Sequence, residues 1–317
     1  MMRRLLCGGF LLLWAAAGMA ASKPIAEVQL ECKAWDQVLS PDGSQLVVRC
    51  RDSHMYVLSL PDGNTLRTIS AEQRPYAVAY SPDGRWLAVG FHDGTVEVSA
   101  AKGTAAGKQW KAAPRRVDVL SFLHNDKTLL VGAADEAVRV WELGDSPKLL
   151  ATLPFEFGGI SACALSPHGK TLVIAGNDTV LRWYDTATWK KTHENREFLL
   201  ETFALTFTSD GKQVLAGGAD ARITVLDAAT AKQVRQLPKD KGSYIVGLEL
   251  LAGESKAATL YLDDAGEKPP HAVVWDLASA KSSVMGNGAV PTCGGKVSGK
   301  LWVCTAEGNK LTVAEWE

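Results

Sequence analysis

Tyr80-Ser81-Pro82-Asp83-Gly84-Arg85-Trp86-Leu87-Ala88-Val89-Gly90-Phe91-His92-Asp93-Gly94-Thr95-Val96-Glu97-Val98-Ser99 holds two turns and two strands, and its pattern returns along most of the chain. Pro82 fixes φ and Asp83-Gly84 supplies a tight reversal, so the first turn sits at Ser81–Gly84. The apolar run Trp86–Val89 has the length of a strand and no helical period. His92-Asp93-Gly94 is the second turn, and Val96–Ser99 alternates as a half-buried strand does.

Outward from this stretch, the first turn reappears as Leu39-Ser40-Pro41-Asp42-Gly43, Phe122-Leu123-His124-Asn125-Asp126, Leu165-Ser166-Pro167-His168-Gly169 and Phe207-Thr208-Ser209-Asp210-Gly211. Its third residues fall at 41, 82, 124, 167 and 209, a spacing of 41 to 43 residues. The second turn supplies Asp52, Asp93, Asp135, Asp178 and Asp220 at the same spacings. Two motifs that share one period mark repeats of a single supersecondary unit. A carboxylate in a tight turn accepts backbone N–H bonds, so these five aspartates read as structural turn residues.

The 317 residues are 46% hydrophobic and 22% charged, with 34 Lys and Arg against 35 Asp and Glu. That composition excludes collagen-like, disordered and coiled-coil chains, and the charge balance argues against a nucleic-acid binder. Residues 1–20 read as a secretory signal peptide: Arg3 and Arg4, an apolar stretch from Leu5 to Ala17, then small residues at Gly18 and Ala20. Residues 21–317 are expected to form one domain, exported to a periplasm or secreted, with no membrane insertion once the signal is removed. Beyond Cys7 five cysteines remain, Cys32, Cys50, Cys163, Cys293 and Cys304, an odd number for an oxidising compartment. Cys293 and Cys304 stand symmetrically about a turn at Val297–Gly299, which makes them cross-strand neighbours within disulfide reach.

The chain resembles the WD-repeat (WD40) β-propeller family. The signature dipeptide stands as Trp275-Asp276 and, altered, as Trp141-Glu142, Tyr184-Asp185 and Leu226-Asp227. The resemblance implies an all-β fold, a seven-bladed propeller of four-stranded antiparallel blades. A sixth copy carries an insertion at residues 263–270, and a seventh, from Val290 to Glu317, stops about one strand short. The segment Ile25–Leu30 has no blade of its own and is expected to supply that strand, closing the ring. The family's Gly-His dipeptide is absent from every copy, so its His–Asp network is not carried over. In this architecture Cys32 and Cys50 lie in loops that meet, a second candidate disulfide, and Cys163 is left as a small buried hydrophobe.

The resemblance also implies that the loops between copies share one face with the second turns, around a channel mouth. There the sequence offers Arg74, Arg115, Arg116, Phe155, Phe157 and Phe198, residue types that dominate protein-binding hot spots. The expected function is therefore a non-catalytic platform for another protein, with no cofactor and no metal. The alternative is a propeller enzyme or small-ligand binder, lactonase-like or quinoprotein-like, with His54, His92 and Asp36 as its first candidates. Against it, Asp36 and Asp118 differ in register by one residue and so face opposite sides of their strands. No nucleophile elbow, P-loop, dinucleotide fingerprint or haem motif occurs.

Overall fold

The structure is a computed structural model and describes residues 24–30, 32, 34–50, 53–103, 107–123, 126–155, 159–198, 200–239, 244–251, 253–262, 271–284, 291–297, 300–307 and 310–316. Among these residues the strands form seven four-stranded antiparallel sheets, the blades of a seven-bladed propeller. After β1 (Pro24–Gln29), blade one holds β2 (Ala34–Leu39), β3 (Gln45–Cys50), β4 (Met55–Ser59) and β5 (Thr65–Ile69). Blade two holds β6 (Pro75–Tyr80), β7 (Trp86–Phe91), β8 (Thr95–Ala100) and β9 (Lys108–Lys111). Blade three holds β10 (Val117–Phe122), β11 (Thr128–Ala133), β12 (Ala137–Glu142) and β13 (Lys148–Pro154). Blade four holds β14 (Ile160–Leu165), β15 (Thr171–Gly176), β16 (Leu181–Asp185) and β17 (Lys191–Asn195). Blade five holds β18 (Thr202–Phe207), β19 (Gln213–Gly218), β20 (Ile223–Asp227) and β21 (Gln233–Gln236). Blade six holds β22 (Tyr244–Leu250), β23 (Lys256–Leu262), β24 (His271–Asp276) and β25 (Ser282–Val284). Blade seven holds β26 (Pro291–Val297), β27 (Lys300–Glu307) and β28 (Lys310–Trp316).

Blade seven takes its fourth strand from the other end of the chain, in the order β1-β28-β27-β26. Ala26 lies opposite Val313 and Val28 opposite Leu311. The N-terminal strand thus pairs where the sequence places it, beginning one residue earlier, at Pro24 rather than Ile25. The chain divides into two compact units. One contains β14–β25; the other contains β1–β12 with β26–β28, and β13 runs up to the boundary at Leu153.

Each unit has its own buried core. In the second, Ala26, Val28, Leu30, Leu46, Val48, Leu311 and Val313 cluster with Cys32 and Cys50 between blades seven and one. In the first, Ile223, Val225, Ile245, Tyr261, Val273 and Trp275 cluster between blades five and six. The first strands of neighbouring blades within a unit lie against each other, while fourth strands such as β17 and β21 are largely exposed.

The predicted first turns of blades one, two and five form as expected and carry a hydrogen-bonded clasp. Ser81 Oγ donates to Asp83 Oδ1 at 2.6 Å and accepts from Trp86 N–H at 2.9 Å, while Arg85 N–H donates to Asp83 Oδ1 at 2.9 Å. Ser40 and Asp42, and Thr208 and Asp210, repeat this arrangement. Gly84 takes φ of 71°, and in blade three Asp126 adopts 51° at the equivalent place.

The structure adds a bulge that the period alone does not reveal. Near the start of every first strand the register slips by one residue, as between Pro75 and Ala77, Val117 and Val119, and Thr202 and Ala204. The skipped residues, Tyr76, Asp118 and Phe203, are re-aimed away from the regular pleat. Asp36 occupies a different position, paired with Arg49, so it does not correspond to Asp118.

Candidate functional site

Strand direction puts the turn between second and third strands at the same end of a blade as the loop leading to the next blade. In blade two the turn Phe91–Gly94 is held between two such loops. His92 N–H donates to the Arg74 carbonyl at 3.0 Å, and Ala112 and Ala113 N–H both donate to the Gly94 carbonyl at 3.0 Å. Gly94 has φ of +94°, and a Cβ there would meet the Ala113 carbonyl oxygen at 2.1 Å and that of Arg115 at 2.6 Å. Only glycine fits so close an approach. The contact joins Arg74, His92 and Arg115 into one patch.

Tyr76 lies beside this patch at its bulge, with two guanidinium groups over its ring. Arg116 Cζ is 4.2 Å from the ring centroid and Arg49 Cζ is 5.0 Å from it. Arg116 Nε donates to Asp118 Oδ1 at 2.7 Å, which fixes the guanidinium plane. The Arg116 side chain keeps 26% exposure and Asp118 11%, so the pair is covered on one side and open on the other. Three consecutive blades therefore contribute one layered arrangement, Arg49 from β3, Tyr76 from β6 and Arg116 with Asp118 from the start of β10. Cation–π contacts of this kind hold a flexible side chain in place.

Arg74 and Arg115 are exposed, and neither meets a carboxylate among the described residues. By contrast Arg67, Arg85, Arg139, Arg182 and Arg196 all form ion pairs. The acidic groups nearby are mostly engaged. Burial alone would raise the Asp93 pKa, but the Thr95 N–H and hydroxyl and the Lys111 ammonium hold it below the ordinary carboxylate value.

The turn aspartates do structural work. Asp220 accepts from Arg222 N–H at 3.1 Å. Asp178 accepts from Val180 N–H at 3.1 Å and from Arg182 through both terminal nitrogens, at 3.0 and 2.5 Å. Asp135 and Arg139 repeat the two-pronged pair at 3.0 and 2.5 Å. Arginine four residues on thus serves in two blades as the partner that the missing histidine does not supply, and the Asp-x-x-x-Arg spacing in the sequence is its signal. Asp52 lies outside the described residues.

The aromatic candidates separate from the arginines. Phe155 is 5% exposed, with Arg182 Cζ 4.8 Å above its ring, so it is a packing residue and not the rim contact that the sequence suggested. Loop position misleads here, because burial is set by the buried guanidinium beneath which the ring lies. Phe157 lies outside the described residues, and Phe198 is half-buried in the other unit from Arg74, Arg115 and Arg116. Tyr76 and Arg49 are the members missed by the loop reading, since a bulge at the head of a strand leaves no mark in hydrophobic alternation.

Of the alternative's residues, His54 is half-buried and stacks on Tyr56 with ring centroids 6.0 Å apart, while His92 is exposed. The Asp36 side chain lies outside the described residues. Among the described residues no three His, Cys, Asp or Glu side chains are grouped to hold a metal ion, and no helix is long and apolar enough to cross a membrane. Cys32 and Cys50 are disulfide-bonded, with Cα atoms 5.9 Å apart. Cys163 is a free, half-buried thiol. The register sets Cys293 opposite Cys304, and their side chains lie outside the described residues.

Comparison with known proteins agrees with the architecture. The WD40 family, described as WD domain, G-beta repeat, matches residues 63–98 and 147–185. Each match begins at the fourth strand of one blade and ends at the third strand of the next, so a repeat straddles two blades. The SEC12-like protein 1 of Arabidopsis thaliana is 23% identical over 226 residues, covering 66% of this chain and 57% of that protein. Actin-interacting protein 1-2 of the same plant is 26% identical over 180 residues, 53% of this chain and 28% of its own length. An uncharacterized WD repeat-containing protein of Synechocystis is 26% identical over 137 residues, 43% of this chain and 39% of its own. The chain thus spans at most 57% of the length of these relatives.

Proposed function

We propose that this WD40-repeat chain is an exported, non-catalytic platform that binds another protein through the loops around Arg74, Tyr76, Arg115 and Arg116. WD40-repeat proteins bind other proteins, and one relative is named for its interaction with actin. The observation that carries the reading is the layered Arg49–Tyr76–Arg116 arrangement with Arg74 and Arg115 beside it. Rigid arginine and aromatic side chains lose little freedom on binding and so give directed affinity. Export rests on the basic, apolar and small-residue order of residues 1–20, and a disulfide joining Cys32 to Cys50 is in keeping with an oxidising compartment.

The test is capture of partners by the mature protein from the exported fraction, with Arg116→Glu in parallel. Enrichment of one protein, lost at least tenfold in the variant, is the expected result. Equal enrichment by both forms would place the binding face elsewhere.

A further inference from the structure

Resting on that reading, we infer that the partner presents an acidic extended segment, whose carboxylates are taken by Arg74, Arg115 and the outer edge of Arg116 over the Tyr76 ring. The Asp118 hydrogen bond uses Arg116 Nε, and no hydrogen bond to its Nη atoms is made among the described residues. A guanidinium fixed at Nε and stacked on a ring presents its two terminal nitrogens in a plane, the geometry that receives a carboxylate in two parallel bonds. Arg74 and Arg115 add two more guanidinium groups with no carboxylate partner among the described residues.

Backbone contacts hold together the two loops that carry these groups. Arg74 is tied to His92 and Arg115 lies against Gly94 in one four-residue turn. The three donors therefore line up along two neighbouring loops of blades two and three. Three cations on adjoining loops suit several carboxylates in an extended chain better than one isolated anion. The whole chain has a formal net charge of −1, so the attraction is local to this patch and not a property of the molecule. Burying the Tyr76 ring under the segment would further strengthen both stacked guanidinium contacts by excluding water.

The probe is fluorescein-labelled octaglutamate, followed by anisotropy against the full mature chain. Saturable binding is expected, weakening severalfold between 50 and 300 mM NaCl, on the order of the screening expected for such pairs. Arg115→Glu and Arg74→Glu should each weaken it about tenfold, and Tyr76→Leu severalfold. Arg85→Ala, at the other end of blade two, should leave it within about twofold. Arg74 and Arg115 are exposed, so their variants keep the fold, which a thermal melt verifies. No binding of octaglutamate, or the same loss with Arg85→Ala, overturns the inference. Tighter binding of octathymidylate or of phosphatidylglycerol vesicles also overturns it, because phosphate would then be the preferred group. The platform fails separately, when partner capture is indifferent to Arg116→Glu; capture that needs Arg116 without octaglutamate binding removes only the acidic chemistry.

Discussion

At the scale of single residues, the sequence is most legible where a side chain acts on its own turn. Asp93, Asp178 and Asp220 bind backbone two residues away, and such local bonding is written into spacing. The last residues of the WD-type dipeptides bond three residues on: Asp185, Asp227 and Asp276 accept the N–H of Thr188, Thr230 and Ser279 at 2.7 to 2.8 Å. The burial of Phe155 is not legible in the sequence, because it depends on the side chain of Arg182 in another strand. Gly94→Ala is expected to cost more than about 2 kcal/mol in denaturant unfolding, since it combines a left-handed φ with a carbonyl clash. Arg182→Ala should cost about 3–5 kcal/mol, because it removes the two-pronged guanidinium from a buried carboxylate. Glu97 provides a pH test. Burial would raise its pKa, yet hydrogen bonds from Arg67 and Gln109 prevail and hold it below the ordinary 4.5. A lowered native pKa gives stability that is present above the unfolded value and lost as pH falls. Glu97→Gln should therefore lose stability less steeply than the parent below about pH 5.

At the scale of elements, strands one to three of the first five blades follow from turn chemistry and alternation. Fourth strands were harder to read: Lys191–Asn195 and Gln233–Gln236 are polar and exposed, with no buried face to enforce a period. The pairing of β1 with β28 was legible only by counting the strands missing from the last copy. Deleting residues 24–29 uncovers the edge of β28 and removes Ala26 and Val28 from a shared core. A loss of several kcal/mol is expected, about 25 cal/mol per Å² of apolar area, read as a lower melting temperature. An unchanged melt would contradict this pairing. The Cys32–Cys50 disulfide closes a separation of 18 residues beside that core. Its reduction, or Cys32→Ser with Cys50→Ser, should cost about 3 kcal/mol in the same melt.

At the scale of the whole molecule, composition and period suffice for the fold class, while function is legible only as a kind of surface. The arginine patch draws on three blades, and no single copy of the repeat contains it. The arginines are therefore legible in the loops, while the Tyr76 ring that organises them is not, since its place follows from a strand bulge. The proposed export is tested at this scale as well. N-terminal sequencing of the protein from the exported fraction should begin just after Ala20, and a chain that retains Met1 would refute cleavage.

Blade seven also has a consequence for how the protein is made. Ala26 cannot meet Val313 until nearly the whole chain has been synthesised. The other six sheets each draw on one continuous stretch and can form in order of synthesis, because closing a short loop costs less entropy than closing a long one. Strand β1, ahead of all the other described strands, is therefore among the last to find its partner. Until then β1 has no strand to pair with, so blade seven is completed only after the six continuous sheets can have formed.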